Sequence, residues 1–382
     1  MLILEALRAQ FGDSLLLHFG TEQKPRLVVI DGGPPGVYND ALEPRLHEIR
    51  NERKLAANKA LEIDLMMVSH IDRDHIAGIL ELAQNLKTLK ESKQPVPWKI
   101  QRFWHNSFDD ILDNDDVSVA SAASVMSVAS IGGMLPHDGS LILASVPEGR
   151  DLRNLANFLK LGGNPPFKGL VRTGKKPITL GNLKVTVVAP SDKELQALQK
   201  EWNKQVKKIL EKEKAEKART EAAAFIDRSV ANLSSIVALA EADGKRILLT
   251  GDGRGDHTLK GLEEAGLMDE EGKIELDVLK MPHHGSEHNV APEYLQRIRA
   301  RHYVISADGE HENPDITTLE MISKARPDDD FTIYLTYPTD EFNVPAIGTK
   351  VAAFFKKEKG KGRKYKVETR KSGDLSFRLA LA

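Results

Sequence analysis

Short apolar runs that end in polar, glycine-bearing turns recur along the chain: Leu15 to Phe19, Leu27 to Ile30 before Asp31-Gly32-Gly33, and Leu65 to Val68 before Ser69. The pattern returns at Leu183 to Val188, Ser235 to Leu239, Ile247 to Thr250 before Gly251-Asp252-Gly253, Val278 to Met281 before His283-His284-Gly285-Ser286, and Tyr303 to Ser306. Runs of this length, bounded by turn residues, predict buried strands whose following loops share an edge. Apolar positions at helical spacing intervene around 40–55, 76–90, 257–267, 292–300 and 317–325. Strands alternating with helices predict a layered α/β fold, here as one domain over residues 1–382.

Two segments break this rhythm. Residues 107–175 carry an acidic patch (Asp109, Asp110, Asp113, Asp115, Asp116), a run of small residues from Val117 to Gly133 and a Gly/Pro-rich stretch from Gly162 to Pro166; they read as an insertion, either decoration or a lid over the site. Residues 192–227 are dense in Lys, Glu, Gln and Ala, which suits a solvated helical excursion. A basic tail follows, with nine Lys or Arg over 356–371 against Glu358 and Glu368. Such a tail is either solvated charge or a grip on phosphates.

Composition narrows the chemistry. The formal charge of the 382 residues is only −2, so no global field points to nucleic acid or membrane. There is no cysteine, which removes disulfides, iron–sulfur clusters, thiolate zinc sites and cysteine nucleophiles. Metal chemistry must therefore use His, Asp and Glu. No apolar run reaches the roughly 18 residues of a spanning helix, and the start at Met1-Leu2-Ile3-Leu4 lacks the pattern of a signal peptide, so a cytoplasmic protein without a membrane partner is expected.

The densest chemistry is His70-Ile71-Asp72-Arg73-Asp74-His75, four potential metal ligands in six residues. Leu61 to Val68 before it is strand-like, and Ile76, Ile79, Leu80, Ala83 and Leu86 after it recur at helical spacing, so the ligands occupy a strand-to-helix turn. Asp and His also cap helices. On such a turn His70 and Asp72 face one way while Asp74 and His75 face another, and one loop serves two cations. Imidazole and carboxylate suit zinc, manganese or iron. Asp252 ends a later strand, where a carboxylate can bridge two cations, and His283 and His284 follow another.

The set His70-x-Asp72-x-Asp74-His75, Leu248-Leu249-Thr250-Gly251-Asp252 and Lys280-Met281-Pro282-His283-His284-Gly285-Ser286, with Asp31-Gly32-Gly33 ahead of it, resembles the metallo-β-lactamase superfamily. With Asp72 where most of that superfamily has histidine, it is most similar to the hydrolase domain of the competence protein ComEC and its free-standing relatives. Phe11-Gly12-Asp13-Ser14-Leu15 resembles that group's opening loop, and Ile305 to Gly309 with Asn313-Pro314 its late segment. No membrane channel accompanies the domain, so DNA uptake is not implied.

The resemblance implies a four-layer αββα sandwich with helical insertions and two divalent metal ions, zinc or manganese, with iron as a further option. One ion would take His70 and Asp72, the other Asp74, His75 and His284, with Asp252 between them and His283 facing substrate. Asn232 stands where the superfamily has a third-motif histidine; His105 is a candidate for that missing imidazole. Two cations would activate a shared water and stabilise charge developing on carbon or phosphorus, with Asp74 orienting the nucleophile. Asp72 in place of an imidazole tilts binding towards manganese or iron. Lys280, His283 and Ser286 are candidates to neutralise a substrate oxyanion. His288 and His311 are substrate-side candidates, and Asp31 is expected to hold the Gly32-Gly33 turn. His18, His47, His137, His257 and His302 are expected at the surface or in packing.

Phosphodiester hydrolysis, of nucleic acid or another phosphodiester, is the leading expectation because the ComEC-like relatives are associated with nuclease or phosphodiesterase activity. Hydrolysis of a small ester, thioester or lactone is the alternative within the same chemistry, and a protein-partner-gated component of a defence or stress assembly is the alternative outside it.

Overall fold

The computed structural model of the chain describes residues 1–111, 137–200 and 231–381. Two sheets dominate. The first has six strands in the order β16-β1-β2-β3-β5-β7, with β1 Leu2–Leu7, β2 Leu15–Gly20, β3 Pro25–Ile30, β5 Leu65–Met67, β7 Phe103–Trp104 and β16 Ser376–Leu381. The second has eight in sequential order, β8 Ile178–Leu180, β9 Leu183–Ala189, β10 Val237–Ala242, β11 Lys245–Leu249, β12 Ile274–Lys280, β13 Ile298–Ile305, β14 Thr332–Leu335 and β15 Lys366–Thr369. A small parallel pair joins β4 Leu61–Ile63 to β6 Trp98–Ile100.

Side-chain alternation sets the layers. Leu15, Leu17, Phe19, Val28 and Ile30 of the first sheet share an apolar cluster with Val185, Val187, Ile247, Leu249 and Val304 of the second, so the inner faces pack on each other. The intervening Leu16, Leu27 and Val29 face outward onto α1 Glu43–Glu52, α2 Arg73–Glu91 and α3 His137–Phe158. On the other side Leu248, Tyr303 and Ile305 face α4 Gly255–Glu264, α5 Pro292–Arg297, α6 Ile316–Ala325 and α7 Pro345–Gly360. Burial on both faces explains why these strands read as continuous apolar runs. The result is the αββα sandwich implied by the motif order.

Several elements depart from the sequence expectations. β1 and β16, which pair along their full length, close the first sheet with the two ends of the chain. Helical spacing was expected to run to 300, yet α5 stops at Arg297 and β13 starts at Ile298; the apolar Ile298 and Ala300 fit either period. In the expected insertion, 112–136 lie outside the described residues, but α3 packs Leu152, Leu155 and Ala156 against α2 and belongs to the outer helical layer. The other excursion is described only as far as residue 200 and from 231. The basic segment is helix α7 followed by edge strand β15. Among the described residues no helix is long and apolar enough to cross a membrane.

The strand directions collect one set of loops at one end. β3, β5 and β7 are mutually parallel, as are β11 to β15, and the loops leaving β3, β5, β11, β12 and β13 meet the β1–β2 turn there. This is where open α/β sheets place ligands. Close backbone approach locks the junction. Gly32 donates its N–H to the His75 carbonyl (2.8 Å), and Gly78 donates to Gly33 (3.1 Å). A Cβ on Gly78 would lie 2.0 Å from the Gly32 oxygen. Although alanine is the better helix former, Gly78→Ala is therefore expected to destabilise the fold by about 1–3 kcal/mol in denaturant unfolding.

Candidate metal centre

Three imidazoles and their carboxylates converge on this end. His70, His75 and His284 are 0%, 0% and 3% exposed, and Asp252 is 2% exposed. The two Asp252 oxygens divide between two sides. Oδ2 lies 3.6 Å from His70 Nε2, which also sits 3.5 Å from Asp72 Oδ2. Oδ1 lies 3.3 Å from His75 Nε2 and 3.9 Å from His284 Nε2, and these two nitrogens are 3.2 Å apart. Asp74 Oδ2 completes that side, 3.1 Å from His284 Nε2 and 3.8 Å from His75 Nε2. Ligand bonds of about 2.0–2.2 Å in tetrahedral geometry put neighbouring donor atoms roughly 3.3–3.6 Å apart, so the spacing fits cations between these atoms.

The surrounding hydrogen bonds leave every Nε2 free to coordinate. Asp31 Oδ2 lies 2.9 Å from His75 Nδ1 and the Ser306 carbonyl 3.0 Å from His284 Nδ1. Both oxygens only accept, so both Nδ1 atoms carry the proton. Ser69 Oγ donates to Asp31 (2.7 Å) and so accepts from His70 Nδ1 at 3.0 Å. Such partners fix tautomer and ring orientation in metal sites. Among the described residues, His70 Nε2, Asp72 Oδ1 and Asp252 Oδ1 are buried without hydrogen-bond partners. These orphaned atoms and the excess of carboxylate charge fit divalent metal.

The backbone is shaped for this arrangement. His283 and His284 both adopt left-handed conformations (φ 49° and 55°), a local cost that persists where surroundings impose it. Gly251 has φ +47°, and a Cβ there would meet Ser235 Oγ at 2.6 Å. Ser235 Oγ accepts the Asp252 N–H (3.0 Å), while Asn289 donates to the Asp252 carbonyl (2.7 Å) and sits 2.8 Å from His283 Nδ1.

The other expected residues distribute as follows. His283 keeps its side chain 36% exposed, with Nε2 3.7 Å from Asp252 Oδ2. Ser286 caps the short helix after it, its Oγ accepting from the His288 N–H at 3.4 Å. His311 is exposed and meets the edge of Phe11, ring centroids 5.2 Å apart. Asn232 falls in the helical turn Ala231–Ser234, and its side chain lies outside the described residues. His105 shares no ion pair or close ring contact with His70 among the described residues and borders a different cavity, so the structure does not bring it in as the missing imidazole.

Two expectations are corrected. Lys280 is fully buried, with Nζ 2.5 Å from Asp13 Oδ2 and donating to the Met281 carbonyl (3.0 Å); it holds a carboxylate of the protein and presents no charge to substrate. Asp31 does more than hold a turn, since it takes Ser69 N–H (2.7 Å), Ser69 Oγ and His75. Asp13, which the sequence marked only as part of an opening loop, lies 3.7 Å from His284 Nδ1 and 3.9 Å from His75 Nδ1. It faces their protonated edges, which makes it a second layer behind the ligands. Ser69, Ser235, Asn289 and Ser306 were not singled out, because single Ser and Asn residues in loops carry no spacing signal.

The stretch Lys357 to Lys366 of the basic segment lies away from this centre, whereas β15 returns Arg370, bonded to the Thr336 carbonyl and to Glu341, towards the end where the loops meet. Asn343 donates to the Asp308 carbonyl (2.7 Å), tying the start of α7 to the metal end. A 16-residue helix runs about 24 Å, which carries Lys357 to Lys366 to the opposite end of the sandwich. A grip on the group being cleaved is not available from there.

Charge sets the pH behaviour. Burial opposes a proton on His75 and on His70, but Asp252, Asp74 and Asp31 around the first, and Asp252 and Asp72 around the second, outweigh it and raise both above the usual imidazole value, His75 by far the more. Asp252 is held well below the ordinary carboxylate range by the four surrounding histidines despite its burial. The carboxylates that raise His75 favour its charged form, so a cation that binds there competes with a proton. Zinc loading at pH 7 is expected to release at least one proton per chain, and affinity to rise with pH. Calorimetric titration in buffers of different ionisation enthalpy checks this.

No protein-family model matches the chain, and no curated protein matches it in sequence. Solved structures do align with it. One is a protein of Parabacteroides distasonis provisionally assigned as a metal-dependent hydrolase (TM-score 0.34, 8% identity, 85% of this chain and 93% of that one). Another is the zinc-bound PqqB of Methylobacterium extorquens (TM-score 0.37, 11% identity, 99% of this chain and 100% of that one).

Proposed function

We propose that the chain is a metal-dependent hydrolase of phosphodiesters, with a dinuclear centre held by His70, Asp72, Asp74, His75, Asp252 and His284. The observation that carries this reading is the division of the two Asp252 oxygens between His70 on one side and His75 with His284 on the other. Bound zinc or manganese would supply an activated water and stabilise charge developing at phosphorus. Asp74, whose side chain is 20% exposed, is the ligand-side carboxylate open to solvent and orients the attacking water. His283, whose Nδ1–H meets Asn289 Oδ1 and whose side chain is 36% exposed, presents Nε2 to the substrate, as a proton acceptor when neutral and as a donor to a substrate oxygen when charged. The choice of phosphodiester draws on the combined His-x-Asp-x-Asp-His, Leu-Leu-Thr-Gly-Asp and Lys-Met-Pro-His-His-Gly-Ser motifs.

The test is turnover of bis(p-nitrophenyl) phosphate, single-stranded DNA and p-nitrophenyl acetate by zinc- and manganese-loaded protein. Metal-dependent phosphodiester cleavage, reduced roughly 10²-fold or more in His283→Ala, is expected. Cleavage of the carboxyl ester without the phosphodiesters would replace the substrate class with an ester or lactone. Bound metal with silence towards all three would favour a partner-gated protein.

A further inference from the structure

β15, Lys366–Thr369, is the outermost strand of the eight-stranded sheet and runs parallel to β14. Parallel strands are ordinarily covered on both faces, yet every residue of β15 is exposed. Among the described residues only Met1, Phe158 and Val367 leave a large apolar side chain at the surface, and Val367 stands inside this strand. The side of the molecule is set by β14 and β16, whose Tyr334 and Phe377 rings stack with centroids 5.3 Å apart. The stretches outside the described residues, 112–136 and 201–230, come after β7 and β9 in the chain, strands towards the other side of both sheets.

Hydrogen bonds fix which way the β15 backbone points. Lys366 donates its N–H to the Phe331 carbonyl (2.9 Å) and Arg370 to the Leu335 carbonyl (3.2 Å). A parallel neighbour is bonded by every second residue, so Lys366, Glu368 and Arg370 turn their main chain to β14. Tyr365, Val367 and Thr369 turn N–H and C=O outward, where no strand meets them among the described residues. Such an edge is a template for a further strand. The side chains divide in the same way: Lys366 and Glu368 lie on one face, Tyr365, Val367 and Thr369 on the other.

Charge selects the strand that fits. When two copies of β15 pair antiparallel, the outward residues must meet in hydrogen-bonded pairs, and the register depends on the residue at the twofold axis. An axis at Lys366 opposes two lysines, and one at Glu368 opposes two glutamates. With the axis at Val367, that residue exchanges both bonds with its own copy, and Tyr365 exchanges them with Thr369. Lys366 of each copy then stands opposite Glu368 of the other, in the non-hydrogen-bonded positions where side chains come closest. Lys364 falls opposite Arg370, whose guanidinium is turned back onto Glu341 and the Thr336 carbonyl. One register therefore satisfies the backbone and both ion pairs together.

We propose that β15 pairs antiparallel with β15 of a second copy of this chain, about a twofold axis through Val367, joining their eight-stranded sheets into one continuous sheet.

The test is sedimentation equilibrium of the zinc-loaded full chain from micromolar to submillimolar concentration. The mass is expected to rise towards twice the 42.3 kDa of one chain. Val367→Pro removes an N–H that β14 does not use, a change that edge strands tolerate; it is expected to stay monomeric with the unfolding midpoint of the parent. Lys366→Glu and Glu368→Lys each set like charges opposite one another twice, and each is expected to weaken self-association roughly ten- to a hundredfold. Mixed in equal amounts, the two variants complement each other and are expected to pair as the parent does. These side chains are exposed, so the charge reversals decide the matter even where the proline disturbs folding. A mass of one chain at every concentration, as an edge reserved for another protein's strand would give, overturns the proposal. So does a dimer undiminished by Val367→Pro, or a mixture that associates no more tightly than its components. None of these readouts depends on turnover, so failure of the hydrolase reading and failure of this one are separable.

Discussion

Asp252→Ala is expected to lower metal-dependent hydrolysis by roughly 10³-fold or more, with bound divalent metal falling from about two per chain to one or none. No other described residue places one carboxylate oxygen near His70 and the other near His75 and His284. Its removal leaves the two cations without a shared ligand and with one negative charge fewer between them. The main chain around it is held by Ser235 and Asn289 independently of the carboxylate, so the loop survives the change. Asp252→Asn keeps the shape and removes the charge, and is expected to lose metal nearly as fully, with an unfolding midpoint close to that of the parent. Rate and metal content retained in both variants would rule out a bridging role.

Lys280→Met is expected to destabilise the fold by about 3–5 kcal/mol. Lys280 and Asp13 are 0% and 1% exposed, and the ammonium is the nearest fixed positive charge to that carboxylate. Burial alone would raise the Asp13 carboxyl, but Lys280, with His284 and His75, holds it below the usual range. Without the lysine a charged carboxylate is stranded in the interior. The sign with pH follows. The parent pair contributes stability above the unfolded carboxyl pKa and loses it as pH falls through the lowered folded value. In the variant Asp13 titrates higher, so its deficit shrinks on acidification as the stranded charge takes up a proton. Adding Asp13→Asn to Lys280→Met removes that charge and is expected to recover part of the loss. Urea unfolding of both variants at pH 5 and pH 7 measures this; equal deficits at both values would contradict the pairing.

Much of this molecule is legible in its sequence, for identifiable reasons. Strands buried on both faces give uninterrupted apolar runs, so β2, β3, β9 and β11 to β13 stand out. β1, with Glu5 inside it, does not: that carboxylate is buried because Arg45 (2.6 Å) and His18 (2.7 Å) pair with it from α1 and β2, contacts a linear pattern cannot display. β15 is fully exposed and lysine-bearing, so it reads as tail. At the site, the ligand types announce themselves because imidazoles and carboxylates cluster within a few residues. The residues that orient them come from five separate loops and are ordinary Ser, Asn and Asp. Lys280 shows the limit most plainly. Beside a histidine pair it looks like a substrate cation, and only the fold reveals Asp13, 267 positions away in sequence, closing on it.

The most direct measurement is the metal content of the full chain, loaded separately with zinc and with manganese, freed of excess by gel filtration and analysed by elemental mass spectrometry. About two ions per chain with at least one of the metals is the predicted result. A chain that retains no metal under any loading condition would contradict the dinuclear centre, and with it the proposed hydrolysis.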